Sequence, residues 1–307
     1  MKKLKKIRVA VLMATFNGID WLPYQILSIL NQSKIDITLF ISDDFSTDNT
    51  FQYIQSIRKE DKRIIILPRR YKFGSAAKNF YRLINDVNFS NFDYVSFSDQ
   101  DDIWMKNKLI RHIGLINKKK VECVSSNVIA FWEDGTRKLI DKSQEQKKWD
   151  FIFESAGPGC SFLMTNFLAS QVQFELKLRN DFAKNIKSHD WLVYAICRAK
   201  KFGWFIDSKP SLFYRQHKNN VLGANSGFKA IFLRLCRIIS GEYKNEVLKV
   251  CKLCLDIERN KELFKLNALL KSSKILSRMQ LINFIPMARR KFKDRVILGI
   301  LIATFLF

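Results

Sequence analysis

The stretch YVSFSDQDDIW at residues 94–104 decides how this chain folds, because an apolar run is followed at once by three carboxylates. Asp99, Asp101 and Asp102 stand within four positions, where a buried strand is predicted to end. Burying like charges without partners costs free energy, so the pattern indicates a divalent cation that neutralises them. Oxygen ligands suit either Mg²⁺ or Mn²⁺, and part of the coordination shell would remain open to a phosphate-bearing ligand.

The residues around this stretch alternate short apolar segments with amphipathic ones. Strands are predicted at 7–14, 35–42, 63–67 and 92–97, and helices at 20–32, after Ser46 or Thr47, after Gly74 and at 106–117. This alternation predicts an α/β fold with a mostly parallel sheet and helices on both faces. Ligands bind at the carboxyl ends of such strands. Because polar residues follow three of the strands, at 15–17, 43–44 and 99–102, we expect one shared site.

The next part of the chain is more mixed. Residues 131–150 are polar and charged around Gly135, which predicts a loop. A helix is predicted at 190–200, with strands at 203–206 and 211–214. We interpret this part as the second half of the same domain, which is predicted to span residues 1–227.

Residues 228–307 are predicted to form a basic helical extension, with 17 Lys or Arg against 6 Asp or Glu. Its last segment, 296–307, carries no charge and follows the basic run 289–295. A spanning helix needs about 20 apolar residues, so this segment is too short to cross a bilayer. The pattern favours a segment lying on an anionic membrane surface. The alternative is a helix docked on the domain, with its charged face in water.

The formal net charge of +24 favours anionic partners. No nucleic-acid motif accompanies the charge, and the basic residues are spread along the chain, so nucleic acid is not an expected partner. The six cysteines lie mostly in apolar surroundings, which predicts free thiols. Cys251 and Cys254 are predicted to share a packed helix face, since a second ligand pair for zinc is missing.

Seven segments occur in a fixed order: Ala14–Gly18, Ser42–Asp48, Gly74–Asn79, Ser98–Trp104, Gly159–Phe162, Ser188–Trp191 and Tyr214–Gly223. Together, over residues 7–223, they resemble a bacterial family 2 glycosyltransferase with the GT-A fold, a Rossmann-like sheet with flanking helices. Among members of this family, the rhamnosyltransferase-like ones are most similar to the residue sequences found here in the acidic segment, the His-Asp-Trp motif and the Tyr-Arg-Gln-His motif. The resemblance implies inverting transfer of a sugar from a nucleotide-diphosphate donor, linked to dTDP, UDP or GDP, to an acceptor hydroxyl. It further implies a role in surface polysaccharide synthesis, as in O-antigen or capsule.

The resemblance also implies a metal site. Asp99 and Asp101 fit the D-x-D motif of the family, and Asp101 is the preferred direct ligand for Mg²⁺ or Mn²⁺. For Asp102, three roles stay open: it binds the metal, it binds the donor ribose, or it only caps a helix at Met105. His217 is a third metal ligand or a phosphate donor, with a structural hydrogen-bonded role as the alternative. For the whole acidic cluster, the competing interpretation is a helix N-terminus favoured by the helix dipole.

Donor-nucleotide contacts are implied at Thr15, Asn17, Asp43, Asp44, Lys78, Asp99 and Arg215. Asp44 matches the position that hydrogen-bonds the base, while the guanidinium of Arg215 suits a phosphate. Ordinary turn chemistry is the alternative explanation after the first two strands. A solvated helix face explains Lys78 almost as well.

Asp190 matches the position at which the family carries its general base. An inverting displacement needs a carboxylate there to remove the proton of the acceptor hydroxyl. Many members carry Glu-Asp here, whereas this chain has His189-Asp190. The alternative is a helix N-cap before Trp191, and the two roles are compatible.

Two competing functions stay open. One is a nucleotidyltransferase on a similar sheet, although the turn after the first strand lacks the Gly-rich basic loop that binds a triphosphate. The other is a non-catalytic basic protein that binds lipid or nucleic acid. The glycosyltransferase interpretation adds a lipid-linked saccharide as acceptor and places the chain in the cytoplasm, on the inner face of the bacterial plasma membrane.

Overall fold

The computed structural model describes residues 6–217, 240–304 and 306–307. The predicted motif residues 218–223, the domain boundary at 227 and Cys236 lie outside the described residues. Contacts divide the chain into two compact units. The first unit comprises Met1–Ser143, Gly157–Lys184 and Gly203–Asn219, and the second comprises Gln144–Ala156, Asn185–Phe202 and Asn220–Phe307. The division of the chain at residue 227 stays a prediction.

The strands of the first unit form two sheets. They are β1 Arg8–Thr15, β2 Asp36–Asp43, β3 Ile64–Ile66, β4 Tyr94–Ser98, β5 Ile103–Trp104, β6 Cys123–Ser126, β7 Val128–Phe131, β8 Arg137–Ile140, β9 Leu163–Thr165, β10 Trp204–Asp207 and β11 Leu212–Arg215. The larger sheet has the order β10-β6-β9-β4-β1-β2-β3. All its pairs are parallel except those of β9, which runs antiparallel to β4 and β6. The predicted mostly parallel α/β sheet is therefore confirmed.

The smaller sheet has the order β5-β11-β7-β8. Strand β8 lies inside the segment 131–150, so the prediction of a loop there was wrong. Gly135, at a φ of +83°, makes the turn between β7 and β8, and its amide donates to the carbonyl of Trp132 at 3.1 Å. The strand was missed because its side chains are largely exposed and charged, which hides the usual apolar alternation.

Helices cover the larger sheet of the first unit. They are α1 Leu22–Leu30, α2 Thr50–Glu60, α3 Ala76–Asp86, α4 Lys108–Lys119 and α6 Asn166–Leu178, and the short helix α7 Asn180–Ala183 contacts α6. On one face, Val9, Val11 and Met13 of β1 share a core with residues of α1 and α4. Helix α3 also contacts β1, and its Phe80 packs edge-on against Phe97 of β4, at 5.5 Å between ring centroids. Burial on both faces explains why β1 is a continuous apolar run.

The second unit is helical in its described part. Its helices are α5 Asp150–Phe153, α8 His189–Ala199, α9 Glu242–Ile257, α10 Lys261–Lys271, α11 Ile275–Ile282, α12 Ile285–Ala288 and α13 Phe292–Ala303. Helix α9 packs against α8 and α10. Cys251 and Cys254 are fully buried on α9, as the helical spacing predicted. Among the described residues, no helix combines the length and apolar character that crossing a membrane requires.

Candidate active site

The carboxyl ends of β1, β2 and β4 meet at one edge of the larger sheet. Thr15 pairs with Asp43 across β1 and β2, and Met13 pairs with Ser98 across β1 and β4. The hydroxyl of Thr15 donates to Asp43 at 3.1 Å. The structure thus brings the polar residues that end these three strands to one edge, as the alternation of strands and helices predicted.

The acidic loop, residues 99–102, follows β4 and leads directly into β5. Helix α4 begins only at Lys108, after Asn107 as N-cap residue. The interpretation of the acidic loop as a helix N-terminus, and of Asp102 as a cap at Met105, was therefore wrong. Instead, the carboxyl of Asp102 is fully buried and accepts the backbone amide of Arg215 at 3.2 Å.

The carboxylates of the acidic loop lie close to one another. Burial raises the pKa of Asp102 well above its ordinary value, and the charges of Asp101 and Asp99 raise it further. The Cys160 thiol and the Arg215 amide lower this pKa by hydrogen bonds, but among the residues that the structure describes no N–H or O–H group donates to the buried Oδ2 of Asp102. Such an oxygen fits a bound cation, because a cation would relieve both the burial and the repulsion.

One oxygen of Asp99, one of Asp102 and the sulfur of Cys160 lie within 4.8 Å of one another. Burial raises the pKa of the Cys160 thiol well above its ordinary value, so the thiol stays protonated and is a poor metal ligand. The carboxylate oxygens therefore fit the predicted Mg²⁺ or Mn²⁺, and the thiol does not. Cys160 lies in the segment Gly159–Phe162 that contributes to the resemblance, but it was assigned no role at the site.

The end of β11 closes over the acidic loop. Nε2 of His217 lies 2.8 Å from Oδ2 of Asp101, and the imidazole stacks on Trp21 with 3.9 Å between ring centroids. Nε of Arg215 donates to the carbonyl of Asp101 at 2.9 Å, and its guanidinium lies over the ring of Phe131. The structure thus joins His217 and Arg215 to Asp101. Part of the hydrogen-bonding capacity of Arg215 is used to hold the acidic loop.

Two loops that follow β1 and β2 are tied together by Asn17. Its Oδ1 accepts the backbone amide of Thr47 at 2.7 Å, and its own backbone amide donates to the hydroxyl of Ser46 at 2.9 Å. Gln100 joins the same region to the acidic loop, because its side chain accepts the amide of Phe16 at 2.9 Å and donates to the Phe16 carbonyl at 3.0 Å. Gln100 was missed from the sequence, where it was only the variable position of D-x-D.

Asp43 and Asp44 are both hydrogen-bonded within the first unit. Asp43 accepts the amide of Ser46 at 3.0 Å and forms an ion pair with Arg69. Asp44 accepts the backbone amides of Phe73 at 2.5 Å and Gly74 at 2.8 Å. These contacts hold the segment before α3 against the ends of β1 and β2. Lys78 is exposed in the first turn of α3.

A buried lysine lies beneath the acidic loop, and the sequence did not identify it. Nζ of Lys108 donates to the carbonyl of Cys160 at 2.7 Å and lies 3.1 Å from the ring centroid of Trp104. Burial lowers the pKa of Lys108 to about 7, although the charges of Asp102 and Asp99 oppose this shift. Trp104 is 3% exposed, so it packs in the core and is not available to stack on a sugar.

Asp190, the predicted general base, lies in the second unit in the first turn of α8. Its carboxylate accepts the hydroxyl of Ser188 and, at 2.6 Å, the backbone amide of Trp191. Burial lowers the pKa of the adjacent His189 to about 4. Ser188 occupies the N-cap position of α8 but its side chain makes no capping hydrogen bond, and it is Asp190 that accepts a backbone amide in the first turn.

A buried ion cluster fixes α8 within the second unit. Asp150 of α5 accepts the hydroxyl of Tyr194 at 3.0 Å and pairs with Arg198 at 3.1 Å and Arg290 at 3.2 Å. The Arg290 side chain is fully buried, and it also pairs with Glu154. Arg290 therefore holds the second unit together, although its place in the basic run 289–295 had favoured the membrane surface.

Comparisons with known proteins agree with this fold. The family model "Glycosyl transferase family 2" matches residues 10–169. A curated relative from Shigella flexneri, "dTDP-rhamnosyl transferase RfbG", is 43% identical over 80% of this chain and 85% of its own length. The Escherichia coli "UDP-Glc:alpha-D-GlcNAc-diphosphoundecaprenol beta-1,3-glucosyltransferase WfgD" is 29% identical over 57% of this chain and 66% of its own length.

Two solved structures share the fold at low identity. Residues 1–349 of S. aureus TarS, in complex with UDP-GlcNAc, match 92% of this chain and 82% of theirs at 14% identity, with a TM-score of 0.54. The mannosyltransferase PcManGT of Pyrobaculum calidifontis, in complex with GDP-Man and Mn²⁺, matches 98% of this chain and 81% of its own at 13% identity, with a TM-score of 0.53. The chain belongs to glycosyl transferase family 2, with the GT-A fold, and is a rhamnosyltransferase-like member of that family.

Proposed function

We propose that this glycosyltransferase moves rhamnose from dTDP-rhamnose to an acceptor hydroxyl in bacterial surface polysaccharide synthesis, with inversion at the anomeric carbon. The identity of 43% to a dTDP-rhamnosyl transferase supports this donor over the UDP- and GDP-linked alternatives. The single observation that carries the proposed chemistry is the acidic loop, in which oxygens of Asp99 and the buried Asp102 lie within 4.8 Å of each other with no cationic side chain paired to Asp102 among the described residues.

Mg²⁺ or Mn²⁺ is proposed to bind Asp99, Asp101 and His217, with Asp102 as a further carboxylate. When bound, the cation stabilises the negative charge that develops on the departing nucleoside diphosphate. The hydrogen bond between His217 and Asp101 supports this assignment, because it keeps both groups at the same point of the loop. The Mn²⁺ complex of PcManGT shows that a protein of this fold binds such an ion.

The donor nucleotide is proposed to lie over the ends of β1 and β2, framed by Thr15, Asn17, Asp43 and Asp44. The hydrogen bonds of these residues support a rigid frame, since they join the ends of β1 and β2, the two loops that follow, and the segment before α3. A rigid frame lowers the entropy cost of ordering loops when the ligand binds. Lys78 and Arg215 are the proposed basic contacts of the diphosphate.

Asp190 is the proposed general base. Its contacts with Ser188 and Trp191 orient the carboxylate. His189 is neutral near pH 7, because burial lowers its pKa to about 4, so no adjacent positive charge weakens the base. The carboxylate of Asp190 would accept the proton of the acceptor hydroxyl as the new glycosidic bond forms.

The acceptor is proposed to be a lipid-linked saccharide at the inner face of the plasma membrane. The name of the WfgD relative includes a saccharide linked to diphosphoundecaprenol, which is a lipid carrier of this kind. A lipid-linked acceptor would explain why the C-terminal part of the chain is both basic and apolar.

Release of dTDP from dTDP-rhamnose, with a lipid-linked acceptor and Mn²⁺, tests the proposed function. Asp101→Asn and Asp190→Asn should each lower turnover by about a hundredfold or more. A thermal-shift panel of dTDP, UDP and GDP with Mn²⁺ should show binding retained by Asp190→Asn and lost by Asp101→Asn. Asp134→Asn, at an exposed turn, is the matched control. Unchanged turnover in either site variant would refute its assigned role, and pyrophosphate release from a sugar phosphate and a nucleoside triphosphate would identify a nucleotidyltransferase instead.

A further inference from the structure

Two neighbouring helices of the second unit carry large apolar side chains on their solvent side. We call these eight residues the apolar platform: Ile275, Leu276, Met279 and Ile282 of α11, and Phe292, Val296, Ile297 and Ile300 of α13. Each is between 43% and 71% exposed. Spacings of three, four and seven residues place each set on one face of its helix. Exposed apolar patches of this kind mark interaction sites in folded proteins.

The opposite faces of the same helices are buried. Leu281 of α11, and Leu298 and Ile302 of α13, are 4% exposed or less. The two helices contact each other, and a guanidinium nitrogen of Arg278 donates to the carbonyl of Ile302 at 3.3 Å. The platform is therefore the outer side of two helices that are already packed within the unit. The uncharged run 296–307 is divided between the two faces, which the sequence alone did not indicate.

Exposed lysines stand next to the platform residues in the sequence. Residues 271–295 include eight Lys or Arg and a single acidic residue, Asp294. Arg289 and Arg290 are used in ion pairs within the unit, but Lys271, Lys274 and Lys293 are exposed. Lys274 directly precedes α11, and Lys293 is the second residue of α13. Lysine side chains at such positions place an apolar stem along the patch and an ammonium group at its rim.

We propose that the apolar platform docks this chain onto a bilayer that contains anionic phospholipid, with α11 and α13 lying in the interface. Helices of this kind bury their apolar face about 5–10 Å into the boundary between headgroups and acyl chains. Lipid fits the platform better than a second copy of the chain, because a self-contact would bring the same lysines together. The proposal deepens the proposed membrane location, but it does not depend on sugar transfer.

Co-flotation of the full chain with vesicles, without nucleotide sugar, tests the proposal. The chain should bind vesicles of equal parts phosphatidylcholine and phosphatidylglycerol, and binding should weaken with added salt. The double variant Met279→Ser and Ile297→Ser should lower the partition coefficient about tenfold or more, since it removes two apolar side chains from the interface. The matched control is Phe174→Ser with Leu178→Ser on α6, where both residues are equally exposed, at 55% and 61%. This control should bind vesicles like the unmodified chain.

A second pair of variants tests the charged rim. Lys274→Gln and Lys293→Gln should each lower binding to the mixed vesicles about fivefold, and neither should change binding to phosphatidylcholine alone. All variants alter exposed side chains, so circular dichroism and the thermal midpoint should match the unmodified chain. Equal vesicle binding by the platform variant and its control would overturn the proposal. Loss of a dimer in the platform variant, measured by light scattering, would identify a second copy as the occupant and overturn it equally.

Failure of this proposal is distinguishable from failure of the proposed function. A chain that binds anionic vesicles and transfers no rhamnose would retain the docking surface and lose the assigned reaction. A chain that transfers rhamnose to a water-soluble acceptor but does not bind vesicles would retain the assigned reaction and lose the docking surface.

Discussion

The two units of this chain bury a carboxylate in opposite ways. In the second unit, Asp150 has a partner on both oxygens, supplied by Tyr194, Arg198 and Arg290. In the first unit, Asp102 has no cationic partner in the described part of the chain: the backbone amide of Arg215 and the weak donor thiol of Cys160 are its contacts, and its Oδ2 accepts from no N–H or O–H group. Burial raises the pKa of both groups, but the two arginines oppose the shift at Asp150. At Asp102 the neighbouring carboxylates increase it.

This difference distinguishes a carboxylate that stabilises the fold from a carboxylate that is available to bind a ligand. A buried carboxylate with a complete set of partners holds elements together, and removing it leaves its partners without counter-charges. A buried carboxylate with an incomplete set is stabilised by whatever ligand completes it. Four changes test the contrast, in order of decreasing expected effect.

Asp150→Ala should have the largest effect on folding. The change removes the carboxylate that pairs with both Arg198 and Arg290, although Arg290 keeps its pair with Glu154, and breaking a buried ion cluster in this way costs about 3–5 kcal/mol. Urea denaturation followed by circular dichroism measures the loss, with Asp134→Ala at an exposed turn as control. A loss below about 1 kcal/mol would show that the ion cluster does not hold the second unit together.

Asp101→Asn should behave in the opposite way. Without metal, its free energy of unfolding should fall by no more than about 1 kcal/mol, since one hydrogen bond to His217 is weakened. In the unmodified chain, Mn²⁺ and dTDP at a hundred times the dissociation constant should add about 2.7 kcal/mol, and chelation should remove this gain. The variant should lack the gain altogether. Equal stabilisation of both proteins by the same ligands would contradict a cation at the acidic loop.

Lys108→Met should change how stability depends on pH. Burial lowers the pKa of Lys108 to about 7, so between about pH 7 and 10 the folded chain binds fewer protons than the unfolded chain. Stability therefore rises with pH across that window, by up to about 1 kcal/mol per pH unit, and is lost again as the pH falls towards 7. The variant should lack this slope.

Denaturation at several pH values measures the effect of Lys108→Met. Lys118→Met, an exposed position on the same helix, is the control and should keep the slope. A slope equal in the variant and the unmodified chain would mean that Lys108 remains charged in the fold.

Gln100→Ala should have the smallest effect on stability, below about 1 kcal/mol, because its two hydrogen bonds to Phe16 are exposed. Its effect should appear in ligand binding, since the acidic loop loses its link to the loop after β1. We expect dTDP with Mn²⁺ to bind several-fold more weakly, as measured by calorimetry. Gln52→Ala on the exposed side of α2 is the control, and unchanged affinity in Gln100→Ala would show that this link does not shape the site.

Much of the first unit could be predicted from the sequence, for a physical reason. Strands such as β1 and β4 are continuous apolar runs because both faces of the sheet are covered, and polar residues end them at the edge where ligands bind. This local pattern was sufficient to bring Thr15, Asp43 and Asp99 to one edge.

What the sequence did not indicate depends on contacts between distant residues. Lys108 looks like a solvated residue at the start of a helix, yet it is buried beneath the acidic loop. Arg290 stands in a basic run and is paired with a carboxylate far back in the chain. In both cases, the side chain is buried against a partner that is distant in the sequence. Hydrophobic periodicity reports only on neighbouring residues and therefore does not reveal such a partner. The predicted roles of Asp190, Lys78 and Arg215 stay predictions until ligands are bound.

The short distance between Arg290 and Phe292 has a consequence for how the enzyme would stand on a membrane. Arg290 is buried in the ion cluster, and Phe292, only two residues later, is 71% exposed on the apolar platform. Two residues span at most about 7 Å, so no flexible linker separates the buried ion cluster of this unit from the surface that would contact lipid. A bilayer bound at the platform would then fix the height and the tilt of this unit relative to the membrane surface. Asp190 lies in the same unit, so the height of the proposed base above the headgroups would be set as well, and with it the length of saccharide that it can reach.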